Sequence, residues 1–100
     1  MVNNLRILTA AERDVSEAFA WYENRQSGLG FEFFRAVDAR LHSIQRNPEM
    51  SGFVDPPYRM ASVRRFPYVI LYTYLDDAIT IYAVFHTAQD PQKWRERLPE

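Results

Sequence analysis

The feature that most narrows the folds open to this chain lies in its last third. Residues 68–75, Tyr-Val-Ile-Leu-Tyr-Thr-Tyr-Leu, and residues 79–85, Ile-Thr-Ile-Tyr-Ala-Val-Phe, are apolar runs separated only by Asp76, Asp77 and Ala78. Runs this rich in β-branched and aromatic residues, joined by so short a connection, read as a β-hairpin. A three-residue turn puts Val69, Leu71, Thr73 and Leu75 on one face with Ile79, Ile81, Ala83 and Phe85. A two-residue turn mixes the faces. Because a slip of one residue exchanges core and solvent sides, the cleaner segregation predicts the three-residue turn. That register sets Tyr68 across from His86 and Tyr72 across from Tyr82. The apolar face is expected to receive the helices, and Tyr68, Ile70, Tyr72, Tyr74, Thr80, Tyr82, Val84 and His86 to line the opposite face.

Helical periodicity earlier in the chain supplies the cover for that sheet. Leu5 and Ile7 alternate with polar neighbours, predicting a short strand over Asn3 to Leu8. Thr9-Ala10-Ala11-Glu12 has capping-box spacing, so a helix is expected to start there and to bury Ala11, Val15, Ala18, Phe19 and Tyr22 through about Gln26. Gly28 and Gly30 punctuate the turn of a helical hairpin. The second helix is expected to bury Phe34, Val37, Leu41 and Ile44 and to end before Asn47-Pro48. Pro48 to Pro57, with three prolines and Gly52, reads as a loop with no element and as the most flexible segment. Tyr58 to Val63 is a further strand. Asp90 caps a short last helix with Pro91 at its first position, and Trp94 and Leu98 share the side that pins the tail back. The expected fold is α+β: a helical hairpin on one face of a small antiparallel sheet, in the order β-α-α-β-β-β, with a short C-terminal helix. No linker or repeat divides residues 1–100, so one domain is expected.

At 100 residues such a domain buries only about 60–65% of its unfolded surface. The 15% of aromatic residues partly offsets so thin a core. The chain has no cysteine, hence no thiolate ligand or thiol nucleophile. No apolar run is long enough to span a bilayer and no signal-peptide pattern opens the chain, so a cytoplasmic location away from membranes is expected.

Formal charge is -1 but unevenly spread. Tyr58 to Leu75 holds Arg59, Arg64 and Arg65 and no acid, a local basic patch. An arginine's planar fork suits phosphate, and Arg64 or Arg65 could stabilise phosphate charge. Parity with Tyr68 favours Arg64 for the Tyr-His face, and Arg59 extends the patch. Equally, one of the doublet could pair with Asp76, Asp90 or Glu96. Arg13, Arg25, Arg35, Arg40 and Arg46 read as cations that solubilise helix faces. His86 could exchange protons at neutral pH, or could simply fix the turn into the last helix near Asp90. Tyr68, Tyr72, Tyr74 and Tyr82 could stack on bases, although Tyr72 and Tyr74 are expected to be half-buried sheet residues. No His-Glu-x-x-His or paired-carboxylate spacing accompanies His42 and no Gly-x-Ser-x-Gly elbow exists, so no metal and no cofactor is expected.

Arg64, Phe66, Pro67 and Tyr68 at the start of one strand, with His86, Asp90 and Pro91 at the end of the other, resemble the RelE/ParE superfamily of toxins from type II toxin–antitoxin pairs. The resemblance runs along nearly the whole chain. It implies a plasmid-stabilisation-type toxin neutralised by a small cognate antitoxin. It also implies either a metal-independent endoribonuclease acting on messenger RNA at the ribosome or an inhibitor of DNA gyrase. A binding module that keeps the fold and the antitoxin contact without toxicity is the alternative. On the ribonuclease reading Arg64, His86 and Tyr82 are the catalytic candidates, and Arg59, Arg65 and Tyr68 the substrate-binding ones. Relatives often carry an arginine just before Asp-Pro, where this chain has Gln89.

Overall fold

The computed structural model describes residues 4–98. They form β1 (Asn4–Ile7), α1 (Thr9–Arg25), α2 (Leu29–Arg46), β2 (Phe53–Asp55), β3 (Tyr58–Ser62), β4 (Tyr68–Leu75), β5 (Ala78–His86) and α3 (Pro91–Arg95). The sheet order is β1-β5-β4-β3-β2. β3, β4 and β5 are joined by hairpins, which leaves β5 with a free edge that β1 fills in parallel, Leu5 opposite Ile79 and Ile7 opposite Ile81. A parallel neighbour needs a long crossover, and the helical hairpin supplies it. The α+β layout of the expectation holds, with a mixed sheet. Asn3, the first residue of the expected strand, lies outside the described residues.

The start of α1 differs from the capping-box expectation. The Leu8 amide still donates to Ile81 O at 3.1 Å, so Leu8 stays extended and becomes the N-cap, its carbonyl accepting from Glu12 N at 3.1 Å. Thr9 is thereby already helical, and its hydroxyl caps nothing. The turn to α2 passes through Gly28 at φ 90°, a conformation that costs a residue with a Cβ. The Glu23 carboxylate accepts from Gly28 N at 2.8 Å and Gly30 N at 2.9 Å, satisfying amides that a helix start leaves open. At Gly30 the helices touch: a Cβ there would lie 2.7 Å from Phe19 O.

That close approach fixes the rotation of α2 and overturns the expectation for Phe34. Phe33, Val37 and Ile44 are buried, Leu41 is half-buried, and Phe34 is 50% exposed beside Phe31 on the flank toward Val15 and Phe19. The segment expected to be a structureless loop contains β2. The Arg59 guanidinium donates to Glu49 O and Ser51 O and lies 3.9 Å over the Phe53 ring, while Met60 N reaches Gly52 O. Tyr72, wholly buried, anchors the same segment by donating to Pro48 O at 2.7 Å.

The hairpin of β4 and β5 corrects the predicted register twice. Asp76 and Asp77 stand at φ 52° and 61°, a two-residue turn with Leu75 opposite Ala78. Asp tolerates the left-handed region, and a turn of this hand matches strand twist. A bulge at Tyr82 then restores one residue, so that Tyr68 faces His86 as expected while Tyr72 faces Ile81 rather than Tyr82. The layers follow from this. Helices pack on Ile79 and Ile81, as expected, and also on Ile70, Tyr72 and Val84, which were expected on the open face. Val69, Leu71, Ala83 and Phe85 form a second apolar layer on the other side. Trp94 covers it, stacked on Phe85 at 5.8 Å, with Leu98 packed alongside. Asp90 caps α3 as expected, accepting from Gln92 N. No described helix is long and apolar enough to cross a membrane.

Candidate functional site

Of the residues singled out by sequence, Arg64, Arg65, Tyr68 and His86 lie at one end of the sheet, around the turn from β3 to β4. Val63 N donates to Tyr68 O, Tyr68 N donates to Phe66 O, and Thr87 N donates to Pro67 O at 2.9 Å, so this turn and the end of β5 are tied together. Arg65 within it stands at φ 69°, a strained conformation for a non-glycine residue. Beneath the helices, the rings of Tyr22, Phe33, Phe66 and Tyr68 pack with centroids 4.9 to 6.1 Å apart. Two grooves open beside this cluster, one against α1 and one against α2, and no described residue lines both.

The groove against α1, about 380 Å³, holds Tyr68, His86 and Gln89 with Asp14, Glu17 and Trp21. The His86 ring meets Tyr68 edge to face at 5.2 Å. Its Nδ1 accepts from Ala88 N at 2.9 Å, and its own amide donates to Gln89 Oε1 at 2.9 Å. With Nδ1 occupied as an acceptor, the neutral ring carries its proton on Nε2, an assignment made from the hydrogen bonds. The other nitrogen is then a donor, whereas a general base must present a lone pair. The Tyr68 phenol is pushed up by burial first, then by Tyr22 and Asp14, so it is a neutral donor at physiological pH.

The groove against α2, about 840 Å³, holds Arg64 and Arg65. Neither makes an ion pair with Asp76, Asp90 or Glu96; the pairs formed among the described residues are Arg97 with Asp14, Arg95 with Asp55, and His42 with Asp38. Arg35, Arg40 and Arg46 of α2 line the same groove, three cations that sequence reasoning treated as solubilising. Arg35, Ala39, Ser43 and Arg46 recur at i, i+4, i+8 and i+11, a single helical face whose small residues mark a groove; that spacing was the available signal.

The remaining candidates lie elsewhere. Tyr82 packs on the layer under α3, its ring 5.4 Å from Tyr58. Burial, then Tyr82 and Asp55, raises the Tyr58 phenol. Arg59 is engaged by the Glu49 and Ser51 carbonyls. Sequence reasoning did not find Asp14, whose carboxylate accepts from Val84 N at 3.0 Å and from Arg97 Nη1 at 2.9 Å, while Arg97 Nη2 donates to Tyr82 O. This network covers the part of β5 that extends past the end of β1.

Comparison with known proteins matches residues 5–91 to a family model described as the ParE toxin of type II toxin-antitoxin system, parDE. Toxin ParE2 of Mycobacterium tuberculosis, in strains CDC 1551 / Oshkosh and ATCC 25618 / H37Rv alike, is 32% identical over 94 residues, covering 91% of this chain and 88% of that toxin. A structure of the chromosomal ParDE TA system from P. aeruginosa superposes with a TM-score of 0.76 at 12% identity, covering 85% of this chain and 96% of that one. A mutant of the E. coli toxin RelE in the free state superposes at 0.60 with 15% identity, covering 97% and 94%. At such identities the two structures bear on the fold alone.

Proposed function

The chain belongs to the ParE toxin family of type II toxin–antitoxin systems, and from that premise we infer that it disables its target by surface contact, the target being DNA gyrase, without cutting RNA. As a toxin of this class it has an antitoxin for a partner. What supports contact over catalysis is the hydrogen bond from Ala88 N to His86 Nδ1. It commits the histidine to fixing the turn into α3 and leaves it without the free lone pair that a general base requires. The spread of the other candidates agrees: Tyr82 packs under α3, and the arginine doublet lines a groove to which His86 does not contribute.

Two observations test the reading. Expression of the chain alone should arrest bacterial growth, and co-expression of its antitoxin should restore it. In purified form it should block supercoiling by gyrase while messages stay whole with or without ribosomes, and His86→Ala should retain the block. RNA cleavage that His86→Ala abolishes refutes the reading.

A further inference from the structure

We propose that the groove between α2 and the β3–β4 turn is a binding site for the phosphate backbone of a double-stranded nucleic acid. Five arginines line it, at positions 35, 40, 46, 64 and 65, against one acid, Glu32. Four cations elsewhere are engaged by the protein itself: Arg59 by loop carbonyls, Arg95 by Asp55, Arg97 by Asp14, and Arg25 over the Trp21 ring. Among the described residues, none of the five groove arginines has a carboxylate partner. Like charges gathered without counter-charges repel one another, and an anion laid among them relieves that repulsion.

The Arg40 head is loosely held. Its Nη1 reaches Ser43 Oγ at 3.4 Å, and its Nε is buried with no acceptor among the described residues. A side chain so poorly satisfied loses little by swinging toward a phosphate, where guanidinium forks bind in pairs. Arg65 is carried on left-handed backbone, and strain of that kind persists where the surrounding turn holds a side chain in place for use.

The lining also selects among anions. Its apolar members are Ala36 and Ala39, with no aromatic and no large aliphatic side chain. A peptide would find no pocket for an anchor, and unstacked bases would find no ring to stack on. Arginine forks and the hydroxyls of Ser43 and Ser62 fit a backbone whose bases stay paired. Arg35 and Arg46 are separated along α2 by roughly 16 Å, about the rise of five base pairs, so the groove can engage successive phosphates. A net charge of -1 gives the chain no overall attraction for nucleic acid, so the clustered groove arginines are expected to dominate the salt dependence. This inference stands whether or not gyrase is the target.

The test measures binding of the intact chain to a 20-base-pair DNA duplex and to an RNA duplex of the same sequence, by fluorescence anisotropy between 50 and 200 mM salt. Each phosphate neutralised contributes about -0.9 to the slope of log affinity against log salt, so a slope of about -3 to -4 is expected. The Arg35→Gln/Arg46→Gln pair should bring the slope closer to zero by about two and weaken binding about tenfold or more at 50 mM salt. Both side chains are exposed, so its unfolding midpoint should match that of the parent chain. Similar affinity for both duplexes supports a backbone site open to either source, and a preference for one identifies the source. Absence of duplex binding at 50 mM salt overturns the proposal, as does an unchanged slope in the double variant. Tighter binding of single strands, or binding of polyglutamate in place of either duplex, overturns it as well.

Discussion

The Asp14 carboxylate accepts the amide of Val84 at 3.0 Å, joining α1 to β5 across 70 positions of sequence. β1 has turned into α1 before this point, so the edge of β5 would otherwise leave that amide without a strand partner. Arg97 closes the arrangement from the far end of the chain, bonding both Asp14 and the Tyr82 carbonyl. Asp14→Ala is expected to cost about 1–3 kcal/mol, the range for stranding a buried donor. Asp14→Asn keeps an acceptor and should cost less. Arg97→Ala removes a partly solvated ion pair and should cost about 1 kcal/mol or less. Urea unfolding of the three variants ranks them, and equal midpoints for Asp14→Ala and Asp14→Asn would remove the amide from the account.

Phe33 is wholly buried among Tyr22, Phe66 and Tyr68, whereas half of Phe34 faces solvent. Phe33→Ala should therefore cost about 3–5 kcal/mol, a large part of the stability of a domain this size. Phe34→Ala should cost about 1 kcal/mol or less. Chemical denaturation measures both, and a reversed order would show that α2 is rotated from the position described.

The contrast between these neighbours explains what the sequence could reveal. Amphipathic spacing locates a helix, but when adjacent positions are both Phe the period alone accepts either rotation; the contact of Gly30 with the Phe19 carbonyl decides it. In the hairpin the strands were legible from composition and Tyr68 opposite His86 from register. The turn and the bulge were not legible, because each shifts the pairing by one residue in opposite senses and the far end is left unchanged. The side of the sheet that receives the helices depends on those details. Both faces are apolar, so hydrophobic segregation could not choose between them. Of the site, the arginine doublet was visible as a run, while Arg35, Arg40 and Arg46 join it only through tertiary packing.

Gly30 also makes a prediction of its own. A Cβ there would meet Phe19 O at 2.7 Å and the Glu23 side chain at 2.9 Å, and the first of these is backbone that cannot move aside. Gly30→Ala should destabilise by about 1–3 kcal/mol despite alanine's better helix propensity. A thermal midpoint equal to or above that of the parent chain would contradict so close a helix contact.

Burial raises the phenols of Tyr22 and Tyr68 above their ordinary value of 10.0. The folded chain therefore holds these protons more tightly than the unfolded chain. Stability from this source is fully present below pH 10 and falls as pH rises from there toward the folded values. Unfolding free energy should be level from pH 8 to 9 and decline above 10. Phenolate absorbance should rise together with loss of structure. A decline complete by pH 9 would assign the linkage to other groups.

Contact and catalysis differ most directly in stoichiometry. With a fixed amount of gyrase and increasing amounts of this protein, a contact inhibitor should abolish supercoiling at a fixed ratio near one protein per binding site, with an endpoint that does not change on longer incubation. Loss of activity that continues with time at ratios far below one, or that is accompanied by cleavage of added RNA, would contradict the account.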